Sequence, residues 1–222
     1  PSGVAAARAA RRVLPGAGTD LPGVTVSYGH GLSGTPMHLA AGYAAIANGG
    51  RMVKPTLLKQ TGPQQGERVM TEETAAKARM MLRKVVTDGT ASFAEVPGYK
   101  IAGKTGTTND QVDAWFSGYS PDLVATVGVG FDNPASLGWG EYGGKAALPI
   151  WMDYMGPALE GVPDRQLEQP SGIATVRIDP DSGLLARPEN PDAIREYFIQ
   201  SQVPDMEPAR GPGGHSAPEQ IF

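Results

Sequence analysis

Apolar positions fall at helical spacing through the first ninety residues and then, from Lys100, shorten into the brief runs that make strands. An Ala-rich stretch over residues 3 to 14 stops at Pro15-Gly16 and reads as the end of a helix, with Arg8, Arg11 and Arg12 on a solvated face. A loop rich in Gly and Pro follows through Gly34. Thr35-Pro36 then offers a capping hydroxyl and a proline suited to the first helical turn, and Leu39, Tyr43, Ile46 and Ala47 repeat at helical spacing until Asn48-Gly49-Gly50. That helix is expected to be buried on one side. Met52 to Lys59 reads as a short extended stretch, and residues 62 to 66 turn the chain. Thr71 with Glu72 and Glu73 opens a further helix whose Ala78, Met81, Leu82, Val85 and Val86 make a core-facing stripe before Asp88-Gly89.

Three strands are predicted next, at Lys100 to Thr107, Ala114 to Tyr119 and Leu123 to Phe131. Ser120-Pro121-Asp122 is a turn, so the strands should pair antiparallel. A helix from about Ala147 to Leu159 then sets Trp151, Met155, Ala158 and Leu159 on one face. This order gives an α/β (layered α+β) fold with helices packed on an antiparallel sheet. Residues 1 to 160 are assigned to this domain. After Gly161 the texture changes: Ile173 to Ile178 followed by Asp179-Pro-Asp-Ser-Gly183 reads as a small β-hairpin appendage over residues 161 to 202, and Pro191 to Tyr197 as one or two helical turns. The Pro-, Gly- and polar-rich stretch from 203 to 222 reads as a disordered tail.

Composition narrows the function classes. A chain of 222 residues, 40% hydrophobic, can bury a real core, and a formal charge of -4 with interspersed signs is no footprint for nucleic acid or an anionic membrane. Without a cysteine there are no disulfides or thiolate metal sites. His30, His38 and His215 share no metal-ligand spacing, so they read as structural or solvent-exposed, and no cofactor is called for. No apolar run approaches the roughly 20 residues of a membrane span, and any anchor is expected outside this stretch.

The chemistry concentrates at Lys104-Thr105-Gly106-Thr107. On a strand, Thr105 and Thr107 share one face and Lys104 projects from the other. Gly106 between them leaves room for a ligand to lie against the backbone. An ammonium and two hydroxyls on one strand edge suit the grip of an acyl substrate that carries a carboxylate. Lys-Thr-Gly is one of three motifs shared by penicillin-binding proteins and serine β-lactamases, beside Ser-x-x-Lys and Ser-Asp-Asn. Only the third is present: no serine stands three before any of the seven lysines, and none stands two before the four asparagines.

The surroundings extend the resemblance. Asp20-Leu-Pro-Gly23, Ser27-Tyr-Gly-His-Gly-Leu-Ser33 with Thr35-Pro36, and Val96-Pro-Gly-Tyr-Lys-Ile-Ala-Gly-Lys104 resemble the class B, monofunctional penicillin-binding proteins. Asp113-Ala-Trp-Phe-Ser-Gly-Tyr-Ser-Pro-Asp-Leu123, Gly130-Phe-Asp-Asn133, Ala147-Leu-Pro-Ile-Trp-Met-Asp-Tyr-Met155 and Val176-Arg-Ile-Asp-Pro-Asp-Ser-Gly183 resemble the bifunctional class A enzymes, which the longer downstream similarity favours. The resemblance implies a penicillin-binding transpeptidase fold, incomplete on its N-terminal side, and a role as the C-terminal part of a serine D,D-transpeptidase that cross-links peptidoglycan stem peptides and binds β-lactam antibiotics. It places the protein at the periplasmic or extracytoplasmic face of the cell membrane, working with an upstream part of the same protein. By the same resemblance Lys104 and Thr107 are catalytic, the latter through its backbone N–H as an oxyanion donor, while Thr105, Gly106 and Thr107 bind substrate.

Plainer readings stand beside these. Lys104 and the threonines also suit an ordinary exposed strand. Asp110 and Asp113 suit a turn and a cap better than a pair of catalytic carboxylates. Trp115 and Phe116 suit the sheet core and cleft wall, and Tyr28 and His30 a structural loop. Two other functions stay open: a non-catalytic interaction module on the same fold, and a β-lactamase-like hydrolase.

Overall fold

Thr35 begins the first helix, α1 (Pro36–Ala47), with a reciprocal cap: its hydroxyl accepts the His38 N–H at 3.3 Å, while His38 Nδ1 accepts the Thr35 N–H at 3.1 Å. His38 is therefore a structural histidine. Thr71 caps α2 (Glu72–Asp88) in one direction only, its hydroxyl accepting the Thr74 N–H at 3.1 Å, and Gly89 ends it. The computed structural model describes residues 34–62, 66–92, 94, 99–165 and 171–206. The expected helix before Pro15, the Asp20 and Ser27 blocks with Tyr28 and His30, His215, and the chain after residue 206 lie outside them.

Three sequence expectations for the helices need correction, one of them Ala158, which is exposed and not on the buried face with Trp151, Met155 and Leu159. Leu39 in α1 is 40% exposed and only Ala45 is fully buried there, so the helix is half-buried along its length. Met81 in α2 is 60% exposed. The buried stripe of α2 runs through Ala75 and Val86, and a helix advancing 3.6 residues per turn carries Met81 about 120° away from it.

The described residues divide into two units near residue 168. In the first, β1 (Ala102–Thr107), β2 (Asp113–Tyr119) and β3 (Val124–Gly130) form an antiparallel sheet in that order. Lys104 lies opposite Ser117 and Phe116 opposite Val127. Ser120 closes the β2–β3 turn, its hydroxyl accepting the N–H groups of Asp122 and Leu123 at 3.2 Å each. After a four-residue helix, α3 (Gly143–Ala146), comes α4 (Leu148–Leu159).

The core lies between α4 and the sheet. Leu148, Trp151, Met155 and Leu159 are buried on one side of α4 against Phe116, Ile101 and Val86. The Phe116 and Trp151 rings meet edge to face with centroids 5.0 Å apart, and the indole N–H donates to the Ala125 carbonyl at 3.1 Å. Gly118 makes room for that ring: a Cβ there would stand 2.9 Å from it. α1 covers the opposite face, its Tyr43 ring 6.4 Å from Tyr119, so the sheet has a helix on each side.

In the second unit β4 (Ile173–Ile178) pairs antiparallel with β5 (Ile194–Ile199). The segment read as helical turns is thus the second strand. Its Ile194-Arg-Glu-Tyr-Phe-Ile199 sequence carries two adjacent charges that blur the alternation, and pairing with β4 decides its form. Asp179 organises the chain after β4. Its buried carboxylate accepts the N–H groups of Asp181 and Ser182 at 2.9 and 3.0 Å and the Asn190 amide at 2.7 Å. Further on, Leu185 bridges to Ile178 and, in parallel, to Met206.

Candidate active site

β1 is an edge: among the described residues it pairs with β2 alone. Which groups face that open edge follows from the hydrogen bonding. The Thr108 N–H donates to the Asp113 carbonyl at 3.0 Å, so the even-numbered residues of the strand turn their backbone groups towards β2. The odd-numbered ones turn outward. In agreement, the Thr105 carbonyl is met from outside by the Lys104 ammonium at 2.9 Å. By the same alternation the backbone N–H of Thr107 points to the free edge.

The side chains gather there too. The Lys104 ammonium lies 3.3 Å from Thr105 Oγ1, and Thr105 Oγ1 lies 2.9 Å from Thr90 Oγ1 at the exit of α2. Thr107 Oγ1 accepts the Gly143 N–H at 3.1 Å, so its own proton remains to be given to a ligand. Gly143, the first residue of α3, is pressed onto the strand: a Cβ would stand 2.3 Å from the Trp115 carbonyl oxygen and 2.6 Å from that of Gly106. Lys104 and Thr107 are exposed and Thr105 and Gly106 partly so. No carboxylate among the described residues pairs with Lys104. The edge therefore presents one ammonium, two hydroxyls and outward N–H groups, all suited to an anion or a polarised carbonyl.

The structure thus brings together all four residues singled out from the sequence. Thr90 and Gly143 lie outside the motif and reach the strand from 15 and 36 residues away, with no chemical signature of their own in the sequence. The aspartates hold local turns. Asp110 sits in the Asn109–Gln111 turn with φ 57°, its carbonyl accepting from Ser136 at 2.8 Å, while Asp113 opens β2 with its N–H given to Thr108 Oγ1 at 2.7 Å. Phe116 is core and Trp115 partly buried. No group of three or more His, Asp or Glu among the described residues could hold a metal ion.

Residues 14–156 match the family model of the penicillin-binding protein transpeptidase domain. The chain belongs to that family. Its relatives include penicillin-binding protein 1A of Pseudomonas aeruginosa, 44% identical over 156 residues that make up 68% of this chain and 19% of that protein. Penicillin-binding protein 1A of Aquifex aeolicus is 38% identical over 182 residues, 78% of this chain and 25% of that one. The chain thus spans a fifth to a quarter of the length of these curated relatives. Among solved structures, the crystal structure of penicillin-binding protein 1A from Haemophilus influenzae superposes with a TM-score of 0.68 at 28% identity, covering 83% of this chain and 34% of that one. A peptidoglycan glycosyltransferase from Burkholderia ambifaria gives 0.57 at 34% identity, covering 68% and 48%. As a penicillin-binding transpeptidase domain, the chain carries Lys104-Thr105-Gly106 as the family's third motif.

Proposed function

We propose that this chain forms one wall of a serine D,D-transpeptidase site, and that the attacking serine with its paired lysine and the Ser-x-Asn motif comes from an upstream segment of the same protein. In this reading the serine attacks the penultimate D-Ala carbonyl of a stem peptide, the terminal D-Ala leaves as an amine, and the acyl group passes to an amine of a neighbouring stem. Thr105 and Thr107 donate their hydroxyl protons to the terminal carboxylate, or to the equivalent carboxylate of a β-lactam. Lys104 holds positive charge beside it and helps set the protonation of the serine pair. The outward Thr107 N–H is one of two oxyanion donors. The class A, bifunctional assignment, with a glycosyltransferase domain and a membrane anchor in the same protein, draws support from the relatives named penicillin-binding protein 1A. It sets the protein at the extracytoplasmic face of the membrane; no described helix is itself long and apolar enough to cross one.

The observation that carries the reading is the edge of β1, where ammonium, hydroxyls and an N–H with no partner among the described residues converge. In the complete protein, Lys104→Ala should slow acylation by a β-lactam roughly 100-fold, the scale of losing one preorganised charge or donor, with the melting temperature nearly unchanged. Thr107→Val should be milder, since it keeps the backbone donor. Stopped-flow acylation of both variants is the measurement, and equal, negligible effects would refute the assignment. The present chain alone, mixed with penicillin, should gain no mass on any serine.

A further inference from the structure

Thr105 Oγ1 is approached by two side chains of the protein. Lys104 Nζ stands 3.3 Å away, and an ammonium can only donate. Thr90 Oγ1 stands 2.9 Å away, and either hydroxyl can be the donor in that pair. A threonine oxygen has two lone pairs and one proton. If Thr90 donates, Lys104 and Thr90 together occupy both lone pairs, and the Thr105 proton is left for a third partner at the strand edge. If Thr105 donates instead, the edge shows a lone pair where a carboxylate would sit, and the two repel. Thr107 meets no such choice, because its inner partner is the Gly143 backbone N–H, a donor of fixed polarity. Thr105 depends on a hydroxyl that can turn.

We propose that Thr90 is a positioning residue for carboxylate recognition: it donates to Thr105 and so turns the Thr105 hydroxyl into a donor aimed at the substrate. The inference rests on the reading of Thr105 as a carboxylate ligand given above. Thr90 is exposed and lies just past the Gly89 cap of α2; its neighbour Ala91 is in the core but the Thr90 side chain is not, so replacing its hydroxyl leaves the packing of α2 in place. Among the described residues it is tied to the site through the Thr105 contact and the neighbourhood of α3, where a Cβ on Gly144 would lie 3.2 Å from the Thr90 carbonyl oxygen.

The test uses the complete protein and the second-order acylation constant for benzylpenicillin and for its methyl ester, which lacks the anionic carboxylate. Thr90→Val should lower the constant for the acid about 3- to 10-fold, the span of one uncharged hydrogen bond, and change that for the ester less than about twofold. Thr90→Ser should restore the acid to within about twofold of wild type. Thr90→Val combined with Thr105→Val should be no slower than Thr105→Val alone, because Thr90 acts through that hydroxyl. Equal losses on acid and ester, failure of serine to rescue, or multiplying losses in the double variant would each overturn the role of Thr90. A Thr105→Val change that leaves the acid-to-ester ratio untouched would overturn the carboxylate reading itself, and the inference with it. Loss in Thr105→Val with no loss in Thr90→Val would remove Thr90 alone.

Discussion

Two antiparallel pairings in this chain are held by opposite means. The β1–β2–β3 sheet is held by what lies on its faces: Phe116, Trp151, Met155 and Leu159 are all fully buried, and a helix covers each side. In the β4–β5 ribbon only Ile178 among its own apolar side chains is buried, still 9% exposed, and its connection is tied by the polar knot around Asp179. The difference explains where chemistry can sit. A sheet fastened by its faces can leave one edge polar and, among the described residues, unpaired, so the exposed Lys104 and Thr107 lie outside its apolar core. A ribbon fastened by side-chain hydrogen bonds has its polar groups already committed.

The strongest way to break this contrast is to empty the face. Trp151→Ala removes the ring that meets Phe116 and Gly118 together with its bond to Ala125, and should cost about 3–5 kcal/mol in urea unfolding of the first unit. A loss under about 1 kcal/mol would mean the sheet is held elsewhere.

A smaller effect, with a pH signature, is expected in the ribbon. The Ser182 N–H, with those of Asp181 and the Asn190 amide, holds the Asp179 carboxyl below the usual carboxylate range against the opposing pull of burial. A carboxyl lowered in the folded state stabilises above its unfolded value, near 3.9, and loses that contribution as the pH falls through its folded value. Asp179→Asn should therefore speed amide exchange at Asp181 and Ser182 most at neutral pH, with the gap from wild type closing below about pH 4. A gap independent of pH would show that the turn needs the shape of the side chain and not its charge.

The smallest expected change runs the other way. Burial raises the Tyr119 hydroxyl far above its ordinary range, and that buried oxygen finds no hydrogen-bond partner among the described residues. Tyr119→Phe should leave the first unit as stable or up to about 1 kcal/mol more so in urea unfolding, because it removes a desolvated polar group and keeps the ring. A loss of more than that would reveal a partner for the hydroxyl and a polar element in the sheet's support.

Much of this architecture could be read from the chain because the signals were local. Thr35 and Thr71 cap the helices they precede, Ser120 makes its turn, and the Lys104 motif lies on the strand its alternation implied. Met81 and β5 went astray for a common reason. Ala78, Leu82, Val85 and Val86 fit a helical face that includes Met81 by spacing alone, and only packing selects the stripe through Ala75 and Val86. Likewise only the register with β4 made a strand of Ile194 to Ile199. Thr90 and Gly143 carry no chemical signature of their own. Their significance is a distance to Thr105 and Thr107, and no local pattern encodes it.

The outward turn of the odd-numbered residues in β1 gives this strand a parity. Removing one residue between Ile101 and Lys104 would leave every functional group in the chain, yet it would turn Lys104 and Gly106 to the open edge and hide the backbone groups of Thr105 and Thr107 against β2. Such a segment can drift by substitution, or by two residues at a time, but a single insertion or deletion exchanges its inside for its outside. The length of the chain between Ile101 and Thr107 is therefore under a stricter constraint than the identity of several residues within it.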